Sequence, residues 1–354
     1  MDPNRKLRDL ECLDILAVIS IVIHGGGISM IHRIRTLPKG ELHVHLNGLV
    51  ERSVIIDLLR SEAAEETAAV DLENALRRNT PCANLEEYLA EWNVLRLIPR
   101  SRNSLRLMVI SAFNQLQAQN TSFAEIRSSV IYISLLNRIK VSEALRWLIE
   151  EVENASKTYS IRAGVIMTVS RGNYSAENLR TLLVAYEHLG KPKTVIGVDL
   201  AGNEEEYTPP ELAGLFMRAK EYHGLGVTIH AGETGNVGNI HRAVKEFGAD
   251  RIGHGTAAGK SEETMGLLRD RNICVEVCPI SNRMTGSVPA SEAHPLVKFI
   301  QHDVPFVICS DNPGLHQANM SEDYLAFLEE SGRPDLLETM YSVQKEHSFL
   351  RLIK

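Results

Sequence analysis

The chain of 354 residues lacks most of what would tie it to a membrane, a nucleic acid or an oxidising compartment. Its apolar run Leu13 to Ile23 is shorter than the ~20 residues a membrane span needs. Lys6 and Arg8 precede that run, but Asp9, Glu11 and Asp14 intrude and no small-x-small cleavage site is clear, which argues against a secretory leader. There is no Lys/Arg-rich stretch, and the net charge is −7, so nucleic acid is not an expected partner. The five cysteines are an odd number, and Cys274, Cys278 and Cys309 fall in apolar runs. A disulfide framework is therefore not expected; the thiols read as reduced core residues of a cytoplasmic enzyme. Low-complexity segments and repeats of roughly 20–50 residues are missing, as is a Gly-x-Gly-x-x-Gly turn after the first strand, where a dinucleotide would sit.

What is present is a large apolar fraction, 44%, with 23% charged residues, enough for an extensive core. Eight β-like runs are predicted at 40–46, 123–129, 161–170, 194–201, 225–231, 251–254, 273–279 and 304–310. Amphipathic helical stretches lie between them, including Leu105 to Ala118, Val141 to Tyr159, Ala176 to His188, Pro210 to Tyr222 and Glu262 to Arg269. Strand and helix in regular alternation imply a parallel sheet, and this length and order imply a (β/α)₈ TIM barrel. Extra helices are expected between strands 1 and 2, over 52–100, either as part of a lid on the catalytic face or as packing alone. Residues 1–35 are expected to be an N-terminal extension, helical or partly non-native upstream of Met30, and 36–354 a single catalytic barrel domain.

Four motifs converge on one chemistry. In His43-Val44-His45 the two imidazoles share one face of a strand, because side chains two apart in a strand point the same way. His230 ends the run Val227-Thr228-Ile229-His230, and Asp311 follows Phe306-Val307-Ile308-Cys309-Ser310. All stand at carboxyl ends of predicted strands, where a barrel gathers its catalytic groups. Together they form an N/N/N/O set suited to one Zn²⁺ per chain with an open position for water. Glu233, three residues past His230, can reach the site as a proton donor without being a ligand. His254, between Gly253 and Gly255, is assigned to orienting and activating the attacking hydroxide.

Leu37-Pro38-Lys39-Gly40-Glu41-Leu42-His43-Val44-His45-Leu46-Asn47-Gly48, Phe123-Ala124-Glu125-Ile126-Arg127, Asp199-Leu200-Ala201-Gly202-Asn203-Glu204, His230-Ala231-Gly232-Glu233, Arg251-Ile252-Gly253-His254-Gly255 and Ser310-Asp311-Asn312-Pro313 resemble the motifs of the adenosine deaminase family in order and spacing. The resemblance implies zinc-dependent hydrolysis of the 6-amino group of a purine nucleoside. His43, His45, His230 and Asp311 would hold zinc, Glu233 would protonate N1, and His254 would assist the attacking hydroxide. Gly202 would offer its N–H to N3, Asn47 would lie near the 5′ end of the ribose, and Asn312 would face N7. Many members carry Asp at the position of Asn47, and the neutral amide here makes a 5′-monophosphate, including an N6-substituted AMP, the alternative substrate. Arg52, a few residues on, is then a candidate phosphate cation, or equally a solvent-facing helix residue. Asn312 stands where a second Asp is usual; its amide donates at any pH and so suits purine N7, or else it marks another amino-heterocycle as the substrate.

Other readings carry less. A binuclear amidohydrolase would need a lysine at the end of the fourth strand, where Ala201-Gly202 stand. Pro81-Cys82-Ala83-Asn84-Leu85 lacks the second cysteine that the other zinc deaminase class requires. A non-catalytic binding protein on the same fold would have lost a ligand or the acid, and none is missing.

Overall fold

The structure, a computed structural model, describes residues 30–352 apart from 79 and 91. The apolar run Leu13–Ile23 and the rest of the expected extension before Met30 lie outside the described residues. From there the chain builds eight strands: β1 (Lys39–His45), β2 (Thr121–Ser128), β3 (Arg162–Ser170), β4 (Val195–Ala201), β5 (Gly226–Ala231), β6 (Arg251–His254), β7 (Cys274–Val277) and β8 (Phe306–Ile308). They pair in parallel in sequence order. The ring is closed just beyond β8: the Asp311 N–H donates to the His43 carbonyl at 2.9 Å, and the His45 N–H donates to the Asp311 carbonyl at 3.1 Å. A TIM barrel results, with Asp311 laced between the two histidines of β1.

β7 and β8 are shorter than the apolar runs that encode them, for a backbone reason. Pro279 and Pro305 have no N–H to give a ladder, so β7 stops before the helix Pro279–Met284 and β8 begins after Pro305. Crossover helices cover the outside. Val141–Tyr159 is typical: it buries Ala144, Leu145, Leu148, Ile149 and Val152, spaced at the helical period, against the barrel wall.

The inside of the barrel is polar. Glu41, Glu125, Arg127, Asp199, Thr228, Arg251 and Glu276 alternate with apolar residues along their strands, and all are fully or almost fully buried. The segment 52–100 forms the helices Arg52–Glu62, Ala64–Thr67, Leu72–Ala75, Leu85–Leu89 and Trp92–Leu95. It has a small core of its own, in which Ile55, Leu59, Leu76, Leu95 and Ile98 meet Leu315. Among the described residues no helix is long and apolar enough to cross a membrane.

Candidate active site

A cavity of about 320 Å³ opens at the carboxyl end of the barrel, lined by His45, His230, Glu233, His254, Asp311, Asn47, Gly202 and Asn312 among others. The segment after β1 covers it through Tyr88, Trp92, Arg96 and Ile98, so that insertion both packs and walls the cleft.

The histidines and Asp311 form one cluster. His45 Nε2 lies 3.3 Å from His230 Nε2 and 3.4 Å from Asp311 Oδ1, and His43 Nε2 lies 3.5 Å from the same oxygen. Ligand atoms of His43, His230, His254 and Asp311 also fall within 4.8 Å of one another, so geometry brings five potential ligands together. Close approach here depends on a missing side chain: a Cβ at Gly253 would lie 2.9 Å from His43 Cε1 and 3.4 Å from the His230 ring.

Backbone strain aims two of the groups. Strand alternation sends Gly253 toward the His43 and His230 rings, so the next residue would point away from them. His254 instead takes φ +63, and its ring comes within 4.8 Å of the His43 ring, centroid to centroid. Asp311 is likewise left-handed, at φ +60. Such a conformation costs a non-glycine residue ~1–3 kcal/mol, and strain of this kind clusters at functional sites.

Beneath the cluster, carboxylates fix the imidazoles. His43 Nδ1–H donates to Glu276 at 2.7 Å and His230 Nδ1–H to Asp199 at 2.9 Å, which leaves both Nε2 lone pairs toward the centre. His43 Nε2 is fully buried and makes no hydrogen bond, a polar atom whose partner is best supplied by a cation. Burial pushes His45 down to about 3, so it too is a neutral donor of a lone pair. Asp311 keeps Oδ1 for the cluster while its Oδ2 accepts from Ser281 Oγ at 2.6 Å. Burial would raise the Glu276 and Asp199 carboxyls. The charges of Arg127 and Arg251 around Glu276, and of His230 and Arg127 around Asp199, hold both well below the usual carboxylate range.

Glu233 and His254 behave differently. Burial, reinforced by the charges of Glu204 and Asp311, holds the Glu233 carboxyl well above its ordinary range, which favours the proton-bearing form. Glu204 grips the turn that carries it, accepting from the Gly232 and Glu233 N–H groups at 2.7 Å each. Burial holds His254 well below the usual imidazole range. Its Nε2 is 3.6 Å from Glu233 Oε2.

The substrate-side expectations meet mixed surroundings. Gly202 lines the cavity at φ +99. Asn47 lines it too, but its Nδ2 donates to the Leu95 and Ile98 carbonyls at 2.8 and 3.3 Å, which leaves only its oxygen for a ligand. Asn312 Nδ2 donates to Tyr88 Oη at 3.0 Å while its Oδ1 is buried without a partner. Arg52 is not at the cleft: it bonds the Glu73 carbonyl at 2.9 Å and carboxylate at 3.2 Å, and lines a separate hollow. Glu276, Asn282 and Ser281 were missed as functional residues. A carboxylate inside the otherwise apolar run 273–278 was the available signal, since buried charges are kept only where they are paired.

The adenosine deaminase family profile matches residues 38–335. The chain is 27% identical over 291 residues to the adenosine deaminase of Clostridium botulinum (strain 657 / Type Ba4), covering 82% of this chain and 87% of that one. Its fold is similar to that of the arabidopsis N6-mAMP deaminase, with TM-score 0.78, 20% identity, and coverage of 90% of this chain and 95% of the other. It is also similar in fold to an amidohydrolase from Burkhoderia ambifaria with bound Zn, with TM-score 0.79, 21% identity, and coverage of 92% and 90%. With these motifs on these strand ends, the chain belongs to the adenosine deaminase family, hydrolases that act on the C–N bonds of cyclic amidines.

Proposed function

We propose that the protein hydrolyses adenosine and 2′-deoxyadenosine to the corresponding inosines and ammonia, with one zinc ion held by His43, His45, His230 and Asp311. The ligand set is supported by distance: atoms that would share one zinc at ~2.0–2.1 Å each lie roughly 3–3.5 Å apart. The separations of 3.3, 3.4 and 3.5 Å around His45, His230, His43 and Asp311 fall at that spacing. When bound, zinc supplies a nucleophile at neutral pH by lowering the pKa of water to ~7.

The observation that carries the reaction is the buried Glu233 carboxyl beside that cluster, held well above its ordinary range by burial. Its proton goes to N1 of the purine, which weakens the aromatic ring and makes C6 electrophilic. The oxygen of water would then bond to C6, one water proton passing to the amino group and the other to the Glu233 carboxylate, so that the C6–N bond breaks, ammonia leaves and C6=O remains. His254 holds the attacking oxygen, Gly202 receives the purine edge at N3, and Asn312 faces N7. The enclosed, neutral character of Glu233 and His254 is what lets proton transfer occur away from bulk water.

A second reading, a 5′-monophosphate substrate, is favoured by Arg96. This exposed guanidinium lines the cavity on the insertion beside Asn47, and a phosphate needs such a cation. The buried thiols of Cys274, Cys278 and Cys309 fit a reducing, cytoplasmic setting.

Ammonia release by the zinc-loaded protein across adenosine, 2′-deoxyadenosine, adenine, AMP and N6-methyl-AMP tests both readings. Release from the two nucleosides is expected. Release from the monophosphates alone would replace the first reading by the second, and silence across the panel would overturn both.

A further inference from the structure

The cluster poses a problem of discrimination, since His254 stands within ligand distance of His43, His230 and Asp311 although the proposed reading needs it as a donor beside the reacting atoms. We infer that Asn282 and His294 fix the tautomer of His254, placing its proton on Nε2, so that His254 is kept off the metal and presents an N–H to the reaction site. The inference rests on the function proposed above only for its catalytic consequence.

The chain of hydrogen bonds behind His254 starts at a backbone N–H, which can only donate. Leu296 opens the helix Leu296–Gln301, and its N–H, one of the donors that a helix start leaves unused, donates to His294 Nδ1 at 3.1 Å. His294 is 1% exposed, and burial pushes it down to about 3, so it is neutral. With Nδ1 accepting, its one proton sits on Nε2 and points at Asn282 Oδ1, 3.2 Å away. That contact settles which end of the buried Asn282 amide is oxygen. The Nδ2 end therefore donates to His254 Nδ1 at 3.0 Å, and the proton of a neutral His254 must be on Nε2, the atom 3.6 Å from Glu233. A protonated Nε2 has no lone pair for a cation. His43 and His230 show the opposite wiring: acidic partners accept from Nδ1 and free Nε2 to ligate. Asn282 and His294 are thus positioning residues, separating donor from ligands among chemically identical side chains.

Asn282→Asp is the isosteric test, because a carboxylate accepts from both imidazoles and would draw the His254 proton to Nδ1. The tautomer is read directly by two-bond ¹H–¹⁵N correlation on histidine-labelled, zinc-loaded protein, with the His254 signals assigned by their loss in His254→Gln. Nε2–H is expected in the wild type and Nδ1–H in Asn282→Asp, with kcat on the productive substrate lower on the order of 10³–10⁴-fold and KM within a few-fold, as for a wrong catalytic tautomer. Nδ1–H in the wild type overturns the inference, and that measurement needs no variant to fold. Nε2–H retained in Asn282→Asp, or kcat unchanged there, overturns it as well. Should no purine on the panel be turned over, the spectra still decide the tautomer, so the two failures are distinct.

Discussion

Glu276→Gln separates a structural carboxylate from a dispensable one. Glu276 is fully buried, and its two oxygens receive four donors: His43 Nδ1 at 2.7 Å and Arg127 Nη2 on Oε2, Thr228 Oγ1 at 3.0 Å and Arg251 Nε at 2.7 Å on Oε1. Glutamine keeps the volume but replaces one oxygen by an NH₂, which meets donors head-on. Two donors lose an acceptor whichever way the amide turns, and each buried loss costs ~1–3 kcal/mol. Removing one partner of a buried ion pair gives a comparable ~3–5 kcal/mol. Arg127 retains Asp199 at 3.2 Å and Arg251 retains Glu125 at 2.6 Å, which places the expected destabilisation near the lower end, about 3 kcal/mol. If the NH₂ takes the Oε2 position, His43 is offered a donor at Nδ1 and moves its proton to Nε2, the atom meant for the metal. Loss of such an outer partner lowers metal affinity by ~10–100-fold. Urea unfolding of the metal-free protein and zinc competition against a chromophoric chelator measure the two effects. Native stability together with native zinc affinity would refute the role given to Glu276.

Glu233→Gln should retain zinc while kcat falls ~10²–10⁴-fold, the share of a positioned acid; turnover at the wild-type rate would remove Glu233 from the proton transfer. Asn47→Asp sets carboxylate oxygens against the Leu95 and Ile98 carbonyls, so faster proteolysis near 85–100 and a raised KM for every substrate are expected. Loss confined to monophosphates, with proteolysis unchanged, would instead put residue 47 beside a phosphate. Stability should fall on acidification below ~6.5, the ordinary imidazole pKa, because His316 and His294 are buried neutral and pushed down to about 4 and about 3. The sign follows from proton counts: in that window the unfolded chain binds protons that the native state refuses, so stability rises with pH, by up to ~1.4 kcal/mol per pH unit per histidine. His316→Asn should flatten the urea-measured slope between those limits by one proton, and an unchanged slope would show that His316 titrates normally.

The clustering of the candidate site residues was legible in the sequence because local spacing decides it. His43 and His45 share a face by strand alternation, and His230, His254 and Asp311 end strands or follow them closely. The expected strands 251–254 and 194–201 correspond closely to β6 and β4, and the expected helix Val141–Tyr159 is observed with those bounds. At Pro279 and Pro305 a proline withdrew an N–H from the ladder and shortened the expected strands, while β2 runs Thr121–Ser128 against the expected 123–129 and the helix Arg102–Ala118 starts three residues before the expected Leu105.

What stayed hidden was pairing across the barrel. His43 and its partner Glu276 are 233 positions apart, and Arg251 and Glu125 are 126 apart, so no local pattern couples them. Only a charge inside an apolar strand hints at such a partner, and it does not say which one. The same holds for donor and ligand roles among the histidines. In sequence His230 and His254 look alike, each closing an apolar strand. Their difference resides in one hydrogen bond on the far side of the ring: Asp199 accepts from His230, whereas Asn282 donates to His254. A carboxylate behind the imidazole turns a lone pair toward the cluster and an amide turns a proton toward it. On the proposed reading, the distinction between ligand and catalyst would lie in the residue behind each histidine, which only the fold brings into contact with it.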